Sequence, residues 1–146
     1  MALESTIKNQ IKAELDELVT ATTLAAATIT DVRKNPLDEA APYPHAFLMP
    51  SAIESEILDN RNITRTYTYS IMVVSKAEDI TSTTQVETLR EAILDKFDNN
   101  PNLDNLAEGG ITPLSSGIEP YQHQNVNLVI FDVILKATTV KLLSFT

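Results

Sequence analysis

A chain of 146 residues with 43% apolar and 21% charged side chains suits one globular domain and excludes a disordered chain. Its net charge of −9, from 11 basic and 20 acidic side chains, argues against a non-specific grip on nucleic acid or on an anionic membrane. The absence of cysteine excludes disulfides and thiolate zinc sites.

The N-terminus, MALEST, has neither a basic n-region nor an apolar core, so no signal peptide is expected. A first helix is predicted from about Leu3 to Val19, where Ile7, Ile11, Leu15 and Leu18 form one stripe at helical spacing. Glu4 suits its first turn, because the helix dipole favours an acid there. Threonines from Thr20 to Thr23 weaken helix propensity and end it. The run from Leu18 to Ile29 is too short and too polar to span a bilayer.

A short strand is predicted around Thr28 to Lys34, anchored by Ile29 and Val32. Pro36, Pro42 and Pro44 then make Asn35 to Pro44 a stiff loop, since proline excludes both regular helix and a central strand. Ala46 to Met49 reads as a short strand stopped by Pro50, and Ser51 to Arg61 as a polar, acidic excursion. Ile63 to Ser75 reads as a strong strand. Tyr67, Tyr69, Ile71 and Val73 share one face and Thr66, Thr68, Ser70, Met72 and Val74 the other.

A second helix is expected after Ser82, which with Gln85 matches a capping box. Val86, Leu89, Ile93 and Phe97 form its apolar stripe, and Pro101 ends it. Asn102 to Gly110 is rich in turn residues. Ile111 to Ser115 is a weak strand, with Pro113 demanding an edge or a bulge. Gly117 to Asn125 reads as a loop.

The long strand Asn125 to Thr139 is the strongest signal in the chain. Val129, Phe131, Val133 and Leu135 occupy one face, while Val126, Leu128, Ile130 and Ile134 occupy the other. An antiparallel strand with one solvated face should be polar on that face. The second apolar face therefore calls for a cover, and in so short a chain another subunit can supply it. A strand of this length exceeds what two helices can cover, so it is expected to bend or to project into a neighbour.

Asp132 interrupts the second face. One reading pairs it across a subunit boundary with a base such as Arg65 or Lys136; the other leaves it solvated. Val140 to Thr146 forms a tail whose Leu142, Leu143 and Phe145 either close the core or dock on a neighbour. The candidate oligomer interface is thus Val126, Leu128, Ile130, Asp132, Ile134, Leu142, Leu143 and Phe145. The whole, residues 1–146, reads as a single α+β domain with 138–146 as a C-terminal tail. Its architecture is a two-layer sandwich, a mostly antiparallel sheet with two helices packed on one face.

No chemical motif competes with assembly. Asp98 to Asp104 places oxygen side chains at alternate positions, as a calcium loop does, but Leu103 stands where that loop needs glycine and Gly109 where it needs an acid. A solvated Asx-rich turn accounts for the segment as well. His45 and His123 lie at no metal-motif spacing. No serine sits in a nucleophile elbow, and no glycine-rich loop cradles a phosphate. The expectation is no enzyme, no catalytic residue, no metal and no cofactor.

The order and lettering of these elements resemble the tail terminator, or tail completion, proteins of long-tailed bacteriophages. The features that carry the resemblance begin with the first helix, its proline-rich loop and the strand Pro44-His-Ala-Phe-Leu-Met-Pro50. The strand Arg65-Thr-Tyr-Thr-Tyr-Ser-Ile-Met-Val-Val74, the helix Val86 to Phe97 ending in Asn-Asn-Pro-Asn-Leu, and the long last strand complete them. The resemblance implies a virion structural protein that forms a homohexameric ring, caps the tail tube, ends its polymerisation and joins it to the head connector. Its partners would be itself, the tube protein and a connector or neck protein, with no membrane and no specific nucleic acid. An acidic ring would let DNA pass without adhering. It would reside in the virion tail or neck, and in host cytoplasm during assembly. The alternatives are another neck or tail component, such as a head-completion or tube protein, and a cellular α+β ligand-binding module.

Overall fold

The computed structural model describes residues 3–21, 25–28, 44–57, 59–76, 83–100, 103 and 110–142. Two helices, α1 (Leu3–Ala21) and α2 (Thr83–Asp98), pack on one face of a six-stranded sheet. The strands are β1 (Ala25–Thr28), β2 (His45–Ile57), β3 (Asn62–Lys76), β4 (Ile111–Ser115), β5 (Glu119–His123) and β6 (Val126–Leu142). Their spatial order is β1-β2-β3-β6-β4, with β5 also on β6. Every pairing is antiparallel except β1 with β2. The α+β two-layer architecture read from the sequence is therefore the observed one.

The core forms where the two apolar periodicities meet. Ile7, Ile11, Leu15 and Leu18 of α1 and Val86, Ile93 and Phe97 of α2 are all buried. They face Ala46 and Leu48 of β2, Tyr69, Ile71 and Val73 of β3, and Phe131, Val133 and Leu135 of β6. Cross-strand rows such as Ala46–Val73–Phe131 and Leu48–Ile71–Val133 set the register. A slip by one residue would turn all these side chains to the other face. The phenol of Tyr69 donates to the carbonyl of Glu4 at 2.6 Å, tying the first turn of α1 to the central strand. Burial, with Glu4 and Tyr67 adding to it, pushes that phenol above the usual tyrosine range.

The helix ends are joined by polar contacts around Glu14, which is buried. Its carboxylate accepts from the Asn100 amide at 2.8 Å and from the Gln10 amide at 3.2 Å. Lys96 lies 3.6 Å away and also pairs with Glu17. After α2, Leu103 takes a positive φ of 49° while its side chain is fully buried. The left-handed conformation costs about 1–2 kcal/mol for a residue with a Cβ. Burying a leucine contributes about 1.5–3 kcal/mol, which offsets it. The Asn-rich segment is thus a packed helix stop, with Asn100 engaged on α1. Asn102 and Asp104, the later positions of the calcium-like spacing, lie outside the described residues.

Four local expectations change. Pro50 does not stop its strand: β2 continues to Ile57 across an irregularity between Pro50 and Ile53. Among the described residues, β1 pairs with β2 as far as Leu48 and no strand borders that side of β2 beyond it, a setting in which a proline and a bulge are tolerated. The expected loop 117–125 contains β5, joined to β6 through Gln124 and Asn125. Both carry positive φ, 48° and 66°, the backbone that suits a two-residue hairpin. β6 runs on through the expected tail to Leu142, paired with the start of β3. Finally, the first strand lies at Ala25–Thr28. The rest of the predicted Thr28–Lys34 strand lies outside the described residues, as do Ser82, Leu143 and Phe145.

The expected projection of β6 takes a different form. β3 accompanies it from Leu128 to Leu142, so the strand is never alone. At their far ends β2, β3 and β6 form a three-stranded arm, in which Ser51 to Ile57 of β2 are exposed. No helix of the described residues is long and apolar enough to cross a membrane.

Candidate assembly surface

The sheet face opposite the helices is built from cross-strand rows. His45, Val74, Ile130 and Glu119 form one row, and Phe47, Met72 and Asp132 the next. Met49, Ser70, Ile134 and Leu114 form a third. At one end Phe47, Val74 and Leu128 are buried, and His45 stacks on Phe47 with ring centroids 4.3 Å apart. Toward the middle, Met49, Met72, Ile130, Asp132 and Ile134 are half-buried. Leu114 is 64% exposed.

The structure thus brings Ile130, Asp132 and Ile134 together on an accessible apolar surface. It separates Leu128 from them, since that side chain is already enclosed within the protomer. Val126 begins β6 opposite His123, and Leu142 ends it opposite Asn62. Those two interface candidates therefore lie at the two ends of the sheet.

Asp132 owes its position to a change of partner along β6. β4 covers Val133 to Ala137, β5 covers Val126 to Ile130, and the outer edge is open between them. Ser116 fills the break: its N–H donates to the Asp132 carbonyl at 2.8 Å, and its hydroxyl accepts from the Asp132 N–H at 2.8 Å. From the helix side, Arg90 donates to the Ser116 carbonyl at 3.2 Å. The break opens a cleft of about 280 Å³ whose walls include Glu119, Tyr121, Ile130 and Asp132.

Burial pushes the Asp132 carboxyl above the usual aspartate range, and the nearby charge of Glu119 adds to the effect. Neither base considered from the sequence is placed beside it within the protomer. Arg65 lies opposite Thr139 and donates to Ser55, while Lys136 lies opposite Thr68. Among the described residues, the ion pairs are those of Lys12 with Asp16 and of Lys96 with Glu14 and Glu17.

The second exposed region is the arm. Every described side chain from Ser51 to Ile57 is exposed, including Ile53 at 50% and Ile57 at 78%. Its tip is held by side-chain hydrogen bonds. The Asp59 carboxylate accepts from the N–H groups of Arg61 and Asn62 at 2.8 and 2.9 Å, and from the Asn62 amide. These donors hold the Asp59 carboxyl below the usual range, the Arg61 N–H first. Ile53, Ile57, Arg61, Glu119 and Tyr121 escaped the sequence reading because their segments read as loops. The Gln124–Asn125 pair between two extended stretches was the signal for β5. The arm had no signal beyond two isoleucines in an acidic stretch.

Among the described residues, no group of three or more histidine, aspartate or glutamate side chains is arranged to hold a metal ion. The surface offers apolar contact, two adjacent carboxylates and an accessible phenol, which are means of binding. Neither comparison with protein-family models nor comparison with characterised proteins finds a match to this chain.

Proposed function

We propose that this chain is a structural virion subunit which, like the phage tail terminators its sequence resembles, forms a ring. The ring caps the tail tube, ends its polymerisation and joins it to the head connector. The observation that carries this reading is the sheet face opposite α1 and α2, where Met49, Met72, Ile130 and Ile134 are half-buried and Leu114 is exposed. A sheet with helices on one side normally alternates apolar and polar residues, leaving its outer face solvated. Apolar side chains clustered on an outer face suit a surface that meets protein. The exposed arm adds a second such surface, as a subunit with two neighbours requires. A ligand-binding reading draws no comparable support. The cleft, about 280 Å³, lies at the small end of the roughly 300–1,000 Å³ typical of small-molecule pockets, and two of its wall residues are carboxylates.

The test is reconstitution with a candidate tail-tube protein from the same genome. Rings seen by electron microscopy, together with tubes that stop growing when this chain is added, are the expected result. Tubes that grow equally long in its presence, with no density at their ends, would refute the proposal.

A further inference from the structure

We infer that the arm tip of one copy docks into the acidic cleft of the next, with Arg61 entering between Glu119 and Asp132. This rests on the reading of the chain as a self-assembling subunit and specifies the contact that joins the copies.

The match is local: the arm carries Glu54, Glu56 and Asp59 beside Arg61 and Arg65, and it is the Arg61 guanidinium, with Ile57 and Ile63, that complements the cleft. The cleft holds two carboxylates, the half-buried Ile130 and Tyr121, which is 51% exposed. A guanidinium suits that set, because its planar fork pairs with carboxylates and its face stacks on an aromatic ring. Two adjacent acids repel one another, and a cation between them removes the repulsion. Arg61 is exposed at the tip, beside Asp59, whose bonds fix the turn. Ile57 and Ile63, paired on the same arm, supply apolar contact for the cleft's rim.

Five other cations among the described residues are less suited. Lys12 and Lys96 are in ion pairs, Arg65 is bonded to Ser55, and Arg90 to the Ser116 carbonyl. Lys136 is exposed but lies on the flat of the sheet, opposite Thr68 and Thr112.

Geometry makes the contact intermolecular. Asn62 pairs with Leu142 and Met72 with Asp132, so tip and cleft are ten residues apart along β6. At about 3.3 Å per residue that is about 33 Å, well beyond the reach of one side chain. Donor and acceptor surfaces at opposite ends of a subunit make a heterologous contact unless a two-fold axis reciprocates it. Such a contact closes into a ring when its rotation allows and otherwise extends as a filament.

The cysteine-free chain permits a direct test. Arg61→Cys and Glu119→Cys variants, both at exposed positions, are mixed and oxidised. A disulfide joining one variant to the other is expected, at a yield well above that of either variant alone. In sedimentation velocity, Arg61→Glu should weaken self-association by about tenfold or more, as expected when one side of a close charge pair is lost. Adding Glu119→Arg to the same chain should restore it. Circular dichroism confirms that each variant is folded.

Assembled rings with no mixed disulfide would overturn the arm-in-cleft contact and leave the ring reading standing. A mixed disulfide in open chains that never close would support the contact and overturn the ring. A folded wild-type chain that stays monomeric, together with folded cysteine variants that give no mixed disulfide, would overturn the inference outright.

Discussion

Replacing Asn100 with aspartate separates two accounts of the Asn-rich segment after α2. The Asn100 amide donates to the buried Glu14 carboxylate at 2.8 Å. Asn100→Asp removes that donor and sets a second carboxylate against the first. Losing a hydrogen bond to a charged acceptor costs about 1.5–3 kcal/mol. Repulsion between two unit charges 4 Å apart adds between about 1 kcal/mol in water and about 4 kcal/mol near a protein surface, less what relaxation recovers. A total of about 2–4 kcal/mol is expected. At about 2–4 °C per kcal/mol for a domain of this size, the melting temperature should fall by about 5–15 °C. Asn100→Ala, which removes only the donor, should fall less. If the segment were instead a calcium loop, the new carboxylate would be an added ligand, and calcium would stabilise the variant by mass action. Thermal melts with calcium and with chelator decide the matter. A variant as stable as the wild type, or one restored by calcium, would refute the packed-stop account.

Two further substitutions probe titratable groups that burial raises. Asp132 has its carboxyl raised above the ordinary value of 3.8, so the native state holds its proton more tightly than the unfolded chain does. Wild-type stability therefore declines as pH rises through the window just above that value and gains nothing from the charge at neutral pH. Asp132→Asn should accordingly stabilise the isolated protomer at pH 7, with the advantage vanishing near pH 3, while weakening self-association; urea titrations at both pH values and sedimentation check the opposed signs. Tyr69→Phe should cost about 1 kcal/mol by removing the bond to Glu4. Because the Tyr69 phenol is raised, wild-type stability should also fall as pH climbs past 10, where the unfolded phenol ionises, and this part of the decline should be absent in the variant. Equal pH dependence for the two proteins would contradict the burial of that phenol.

Much of the fold was legible because its signals are local and periodic. The stripe Ile7–Ile11–Leu15–Leu18 marked α1, and Val86–Leu89–Ile93–Phe97 marked α2. The alternation from Tyr67 to Val73 marked the core face of β3. Period alone reveals which residues share a face. The double-sided apolarity of β6 was equally plain, and with it the prominence of Ile130, Asp132 and Ile134.

What the sequence left open depends on partners distant in the chain. Pro50 and the acidic stretch after it read as a stop, yet the neighbouring strand carries β2 on to Ile57, because pairing with Ile63 to Tyr69 outweighs weak local propensity. Glu119 to His123 has little strand character of its own and is ordered by β6 beside it. Leu128 and Ile130 look alike in the sequence, but only the packed sheet encloses the first and leaves the second accessible. The sequence by itself determined the layers of this protein, since apolar period is a property of consecutive residues. The cleft at Asp132, the arm that ends at Arg61 and the distance between them arise from register, which only tertiary pairing decides.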